Sequence, residues 1–176
     1  MNPTARQILP PALAMSAIVL VSNLLVQFPI NPWLTWGAFS YPVAYFVTDV
    51  CNRTSGPALA RRVAWVGFSV GLILSATLTP VRIALASGAA FIVSQLLDVA
   101  VFNRLRRQSW WQAPLFGSAA ASVVDTSLFF SVAFAGSHVP WLPLAAGDLG
   151  VKLFMALALL PPYRALVLRL APPPIA

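Results

Sequence analysis

The chain has 176 residues and a formal charge of +7, with 59% hydrophobic and only 9% charged residues. Soluble globular proteins carry about a quarter charged residues, so the composition argues against a soluble fold. At roughly 20 apolar residues per crossing, the length holds about six membrane spans and no separate soluble domain. The basic residues come as arginine clusters between apolar runs, not as a stripe on a polar face, which argues against nucleic acid as a partner. Cys51 is the single cysteine, so no disulfide framework or cysteine-rich metal site is expected. No cofactor or metal is expected either, since there is no phosphate-binding glycine loop and no H-E-x-x-H pattern.

The first apolar run, 9–28, follows one arginine as a secretory signal would, but five more runs come after it, so it is expected to stay as the first helix. Phe28-Pro29-Ile30-Asn31-Pro32 ends it. The second run covers 33–52 and is interrupted by Pro42; the stretch from Arg53 to Arg62 separates it from the third, 63–79. Thr79-Pro80 marks the break before the fourth run, 81–102, and Arg104 to Trp111 the break after it. The fifth run is 114–135, Gly136 to Pro140 forms the next break, and the sixth run is 142–160. The expected fold is therefore all-α: one integral membrane domain over 1–176 with six transmembrane helices.

Loop charge gives an orientation. Arg53, Arg61 and Arg62 fall in one connection, Arg104, Arg106 and Arg107 in another, and Arg164 and Arg169 in the tail. With Arg6 they lie on one side if both termini are cytoplasmic, as the positive-inside rule requires, and Arg82 and Lys152 are the exceptions. This predicts a multi-pass protein of a bacterial inner membrane. Trp33, Trp36, Trp110, Trp111 and Trp141 fall at span ends, where indole rings favour the headgroup layer.

All four acids are aspartates, and each lies within an expected span: Asp49, Asp98, Asp125 and Asp148. A carboxylate at bilayer depth costs about 2.5–3.5 kcal/mol on insertion scales, so such residues face a protein interior or a wet cavity. They serve a pathway, or they hold helices together. Residues three or four apart share a helix face. On the second span that face reads Tyr41, Tyr45, Asp49, Asn52, and Arg53 is placed to neutralise Asp49. On the fourth it reads Ser87, Phe91, Ser94 with Gln95, Asp98 and Phe102, a donor and acceptor pair flanked by aromatics that suits a planar heterocycle. The fifth reads Ser118, Ser122, Asp125, Phe129, and on the sixth Asp148 and Lys152 are spaced as a self-neutralising pair.

Gln95 to Asp98 and Ser122 to Asp125, each followed by phenylalanine, run in opposite directions across the membrane. That is the pattern of an inverted 3+3 repeat with its site at the repeat interface, although so short a match also arises by chance. A protease dyad of two aspartates would require G-x-G-D, and Ala145-Ala146-Gly147-Asp148 lacks it. No enzyme is expected.

Several blocks in order resemble the queuosine precursor transporters, also called the vitamin uptake transporter family. They are Tyr-Pro-Val-Ala-Tyr-Phe-Val-Thr-Asp-Val-Cys-Asn-Arg (41–53) with Gly56 and Ala60-Arg61-Arg62; the stretch from Arg82 through Ser94-Gln95-Leu-Leu-Asp98 to Phe102; Ser122-Val-Val-Asp-Thr-Ser-Leu-Phe-Phe (122–130); and Gly147-Asp148 followed by Lys152. Many members carry an acidic residue after the second-span Asp-x-x-Asn, where this chain has Arg53. The resemblance implies import of 7-deazaguanine bases (preQ0, preQ1 or queuine-like) for queuosine modification of transfer RNA. A carboxylate can accept the adjacent ring N–H and exocyclic amine of such a base together, and aromatic faces can stack on its ring. Asp98, Gln95 and Asp125 are thus expected to read the base edge, with Tyr41, Tyr45, Phe91 or Phe129 sandwiching it and Asp49 with Asn52 completing or gating the site. Ser94, Asp148 and Lys152 complete the candidate set. The partners are then a nucleobase-like solute and the lipid bilayer, and a homodimer would thicken the thin wall of six short helices. Two other readings share these features: a substrate-binding subunit of an ATP-driven vitamin uptake complex, and a non-transporting membrane assembly protein.

Overall fold

The structure, a computed structural model, describes residues 5–170, without the side chains of residues 5, 6, 74 and 75. The topology signal read at Arg6, and the chain ends assigned to the cytoplasm, lie outside the described residues. In chain order the elements are α1 (Ala5–Leu25), the strands β1 (Pro29–Asn31) and β2 (Leu34–Thr35), α2 (Gly37–Ser40), α3 (Pro42–Ser55), α4 (Pro57–Leu78), α5 (Val81–Leu105), α6 (Gln112–Phe134), α7 (Trp141–Ala158) and α8 (Leu160–Leu170). Five of the helices, α1, α4, α5, α6 and α7, are long and apolar enough to cross a membrane. The protein is a polytopic, helical membrane protein, with one two-stranded antiparallel ribbon among the described residues.

Three departures from the sequence expectation have local causes. The run 33–52 is not one helix: Trp33 sits in the ribbon's turn, held by its backbone N–H on Asn31 Oδ1 at 2.8 Å, and Pro42 divides α2 from α3. Proline lacks the N–H that would continue the preceding turn, but it is well suited to start the next helix. Alone, α3 rises only about 21 Å, short of a bilayer core.

The expected connection from Arg53 to Arg62 collapses to Gly56, whose φ of +89° ends α3 while Pro57 opens α4. Its N–H bonds to Asn52 O at 3.0 Å, a helix stop at positive φ that glycine tolerates best. Arg61 and Arg62 consequently ride exposed on the first turns of α4. The third departure is the tail, which forms α8 with Tyr163 buried. Pro161 and Pro162 fall in its first turn, where the backbone N–H groups have no helical partner anyway.

The long helices pack in a row, α1 on α4, α4 on α5, α5 on α6 and α6 on α7, and α3 lies across the row, touching α1, α4, α5, α6, α7 and α8. Small residues make this possible. Gly67 and Gly71 of α4 receive Met15 and Val19 of α1, and a Cβ built on Gly71 would lie 2.6 Å from Val19 Cγ1. Ala60, Ala64, Ala86, Ala90 and Ala121 are fully buried in the same way. Leu9, Ile73, Leu85, Val123, Phe154 and Leu157 point outward, the distribution expected where lipid is the solvent.

The two basic residues that broke the loop pattern both have dedicated partners. Arg82 caps the far end of α6, donating Nε to Val132 O at 3.1 Å and Nη2 to Ala135 O at 2.5 Å, where helix carbonyls lack intrahelical donors. Lys152 is buried at the centre of the site described next.

Candidate functional site

All four aspartates are buried, with exposures of 3% for Asp49, 0% for Asp98, 2% for Asp125 and 8% for Asp148. They meet as two pairs of different character. The pairing that α7 brings follows from its inner stripe: its buried residues are Asp148, Lys152 and Ala156, four apart along one face. Lys152 Nζ donates to Asp148 Oδ2 at 2.5 Å, to Asp125 Oδ2 on α6 at 2.7 Å and to Thr126 Oγ1 at 3.1 Å. Thr126 in turn donates to Asp148 Oδ2 at 2.7 Å. The expected self-neutralising pair is therefore present, and it has a third member that spacing along one helix could not reveal.

Hydroxyls extend this cluster across the bundle. Tyr45 donates to Ser94 Oγ at 3.0 Å, and Ser94 to Asp125 Oδ1 at 3.2 Å. Tyr41 Oη lies 2.6 Å from Ser87 Oγ, which donates to Asn23 Oδ1 on α1 at 2.5 Å. The Tyr41 ring centroid also lies 5.3 Å from Lys152 Nζ, within cation–π range.

The second pair has no cation bonded to it. The carboxyl groups of Asp49 on α3 and Asp98 on α5 lie close enough to act on each other electrostatically. Ser118 of α6 donates to Asp49 Oδ2 at 3.2 Å. Both oxygens of Asp98, Asp49 Oδ1 and Asn52 Oδ1 are buried without a hydrogen-bond partner, as are Gln95 Nε2 and Ser122 Oγ. Gln95 Oε1 accepts from Thr48 at 2.5 Å, and Asn52 Nδ2 donates to Val99 O at 3.3 Å, which fixes both amides beside the pair. Gly117 lets α6 come close: a Cβ there would stand 2.6 Å from Asp98 Oδ1.

The expected neutralisation of Asp49 by Arg53 is corrected. The Arg53 guanidinium is engaged elsewhere, donating Nε to Tyr163 Oη at 3.2 Å and Nη1 to Arg106 O at 3.0 Å. Arg106 returns a bond to Asn52 O, so the ends of α3 and α5 and the start of α8 are tied together. The helical tail supplied the partner that drew Arg53 away.

Two interior cavities, each of about 10 Å³, or room for about one water, flank Lys152. One is lined by Tyr45, Asp49, Ser118, Ser122, Lys152 and Tyr163. The other is lined by Asn23, Tyr41, Asp125, Phe129, Asp148 and Lys152. Lys152 lines both. A heterocyclic base is far larger than one water, so neither cavity has room for one without movement of its walls.

Of the residues expected to contact a planar base, Tyr41, Phe129, Asp125, Asp148 and Lys152 share one cavity, and Tyr45 and Asp49 line the other. Ser94, Gln95, Asp98, Asn52 and Phe91 line neither. Phe91 stacks on Phe68 of α4, centroids 6.4 Å apart, as part of the apolar core. Asn23, Thr126 and Tyr163 belong to the site's surroundings, and the sequence reading does not single them out. Asn23 has a legible signal, a carboxamide inside an otherwise apolar span. Tyr163 has none, because its importance depends on α8 folding back.

Residues 35–81 and 74–166 match the family described as "Putative vitamin uptake transporter". The chain belongs to that family. Proteins similar to it include one of Haemophilus influenzae named "Probable queuosine precursor transporter", 33% identical, with 86% of this chain and 82% of the relative covered. The Escherichia coli protein named "Queuosine precursor transporter" is 34% identical over 85% of this chain and 81% of its own length. A "Probable queuosine precursor transporter" of Bacillus subtilis is 32% identical, covering 72% of this chain and 69% of the relative. No solved structure matches the chain.

Proposed function

We propose that this protein imports queuosine precursors, 7-deazaguanine bases such as preQ0 and preQ1, across the bacterial inner membrane for use in transfer RNA modification. The names of its relatives support the solute class. The observation that carries the site is the buried Lys152 cluster at the junction of two cavities. A guanine-like edge presents a carbonyl oxygen, then a ring N–H and an exocyclic amine in a row. Lys152 can donate to the first while Asp125 or Asp148 accepts from the other two, so base and cluster are complementary without any added charge. Tyr41 and Phe129, which line the same cavity, can flank the ring.

In this reading α2 and α3 together make a sixth crossing, the arginine-rich face is cytoplasmic, and residues 1–176 form one transport domain. The facing of Ser94 on α5 and Asp125 on α6 supports an inverted repeat with the site at its interface. Transport requires the two cavities to open alternately, and breaking Lys152 from one aspartate as the base takes its place would link binding to that motion.

The test is uptake of radiolabelled preQ0 and preQ1 by the purified protein in proteoliposomes, with guanine, adenine and riboflavin as competitors. Saturable uptake blocked by excess 7-deazaguanine and reduced at least tenfold in Asp125→Asn is expected. Wild-type vesicles that take up no deazaguanine base would overturn the reading in favour of an ATP-driven partner or an assembly role.

A further inference from the structure

The Asp49 and Asp98 carboxyl groups differ from the Lys152 cluster in having each other, and no bonded cation, as nearest charged company. Two adjacent buried carboxylates do not readily both stay ionised, because their repulsion is poorly screened and their hydration is largely lost. A single proton between them removes both penalties, forming an O–H on one carboxyl that the other accepts. A bound metal ion would need several more oxygen ligands. No group of three His, Cys, Asp or Glu side chains that could hold one occurs among the described residues.

We propose that the Asp49–Asp98 pair is the coupling site of the transporter, binding one proton from the outer medium and releasing it to the arginine-rich side in each import cycle. The proposal rests on the base-import reading above. The surroundings suit release in that direction. Asp49 lines the cavity that contains Tyr163 of α8, so opening it would hydrate the pair. Arg53, one turn further along α3, acts electrostatically on Asp49 from the arginine-rich side. The other titratable groups facing the pair are Tyr45 on α3, Tyr163 on α8 and Lys152 across the cavity, with the neutral Ser118 from α6. On α4, which packs against α3, Arg61 and Arg62 are exposed. The described part of α1 has no titratable side chain. Cargo recognition and coupling thus sit on opposite sides of Lys152, and the proton moves down its gradient while a neutral base such as preQ0 is carried with it.

Two measurements test this, one of them independent of the solute. Infrared difference spectra of the purified protein at neutral pH should show a protonated carboxyl band that Asp98→Asn abolishes and that Asp49→Asn abolishes or shifts. In proteoliposomes, an acidic exterior should drive wild-type accumulation of preQ0 above equilibrium, with an accompanying proton influx. Asp49→Asn and Asp98→Asn should lose that accumulation, and the proton influx with it, at least tenfold, in step with the loss or shift of the infrared band. The proposal is overturned if wild type lacks the protonated band, if accumulation follows a sodium gradient instead, or if either variant still concentrates preQ0 on the pH gradient. Failure of the base-import reading is distinct, since it would abolish exchange in wild type while the infrared band remained.

Discussion

The two aspartate pairs are similarly buried but are stabilised by opposite means. Asp125 and Asp148 share Lys152, and Thr126 donates to Asp148 as well, so every oxygen named in their ion pairs has a donor. Of Asp49 and Asp98, only Asp49 receives a hydrogen bond, from Ser118, and three carboxylate oxygens are left over. A buried charge that is paired resists removal of its partner, whereas a buried charge left without a counter-ion stays sensitive to protons. The difference separates a cluster suited to holding a polar solute from one suited to changing its protonation state. α7 is held to the bundle both by this charge cluster and by Trp141, Leu144 and Ala145, which pack against the apolar cluster of α5 and α6.

The largest effect should come from removing the cation that makes the first pair a pair. Lys152→Met leaves two carboxylates facing each other in a dry cavity, and breaking a buried ion pair from one side costs about 3–5 kcal/mol. Thermal unfolding in detergent should show that loss, and preQ0 binding should fall below detection. Adding Asp148→Asn to Lys152→Met should recover part of the stability without recovering binding, since it removes the repulsion but not the missing donor. A Lys152→Met protein that melts like wild type would show that the cluster does not hold α7.

Much of this site was legible in the sequence, and what was not has a physical reason. The four aspartates could be placed at bilayer depth, and Asp148 with Lys152 on one face, because helical spacing fixes neighbours three and four residues apart. Which helix supplies the third partner depends on packing, so Asp125 could not be joined to Lys152 from spacing alone. The same limit misassigned Arg53. Its closeness to Asp49 along α3 was visible, but the competing Tyr163 belongs to α8 and lies 110 residues further along the chain. No reading of local spacing spans that distance. The fold shows the same limit. The long apolar runs marked the helices, but the single-residue stop at Gly56 and the ribbon at 29–35 depend on backbone conformations that hydropathy does not report.

A smaller effect, confined to the second pair, should follow from Gly117→Ala. The added methyl would stand 2.6 Å from Asp98 Oδ1, so the carboxyl must shift from its place beside Asp49. Accumulation of preQ0 on an imposed pH gradient should drop severalfold, while preQ0 binding at Lys152 stays near wild type. Equal losses in both readouts would show that the two clusters are not separable.

Below that in size is Gly56→Ala, which forces a residue with a Cβ into φ +89° at the α3–α4 junction. A positive φ costs a non-glycine residue about 1–2 kcal/mol. Melting should fall by a few degrees, with the ratio of accumulation to binding unchanged, because the strain lies outside both pairs. A change in that ratio would mean that the junction sets the position of Asp49.

The smallest change tests whether the second pair can be converted into the first kind. Tyr163→Phe removes the oxygen that accepts from Arg53 Nε and leaves the bond from Nη1 to Arg106 O in place. One hydrogen bond contributes about 0.5–1.5 kcal/mol net, so stability should change little. Arg53 is then free to turn toward Asp49, four residues back on the same helix. A guanidinium there would hold the carboxylate ionised and weaken its hold on a proton. Gradient-driven accumulation of preQ0 should fall about twofold, with exchange unaffected, and Arg53→Gln placed in the same background should restore it, since the competing cation is gone. If accumulation is unchanged in Tyr163→Phe, then α8 does not keep Arg53 away from the pair, and the tie to Arg106 O alone must do so.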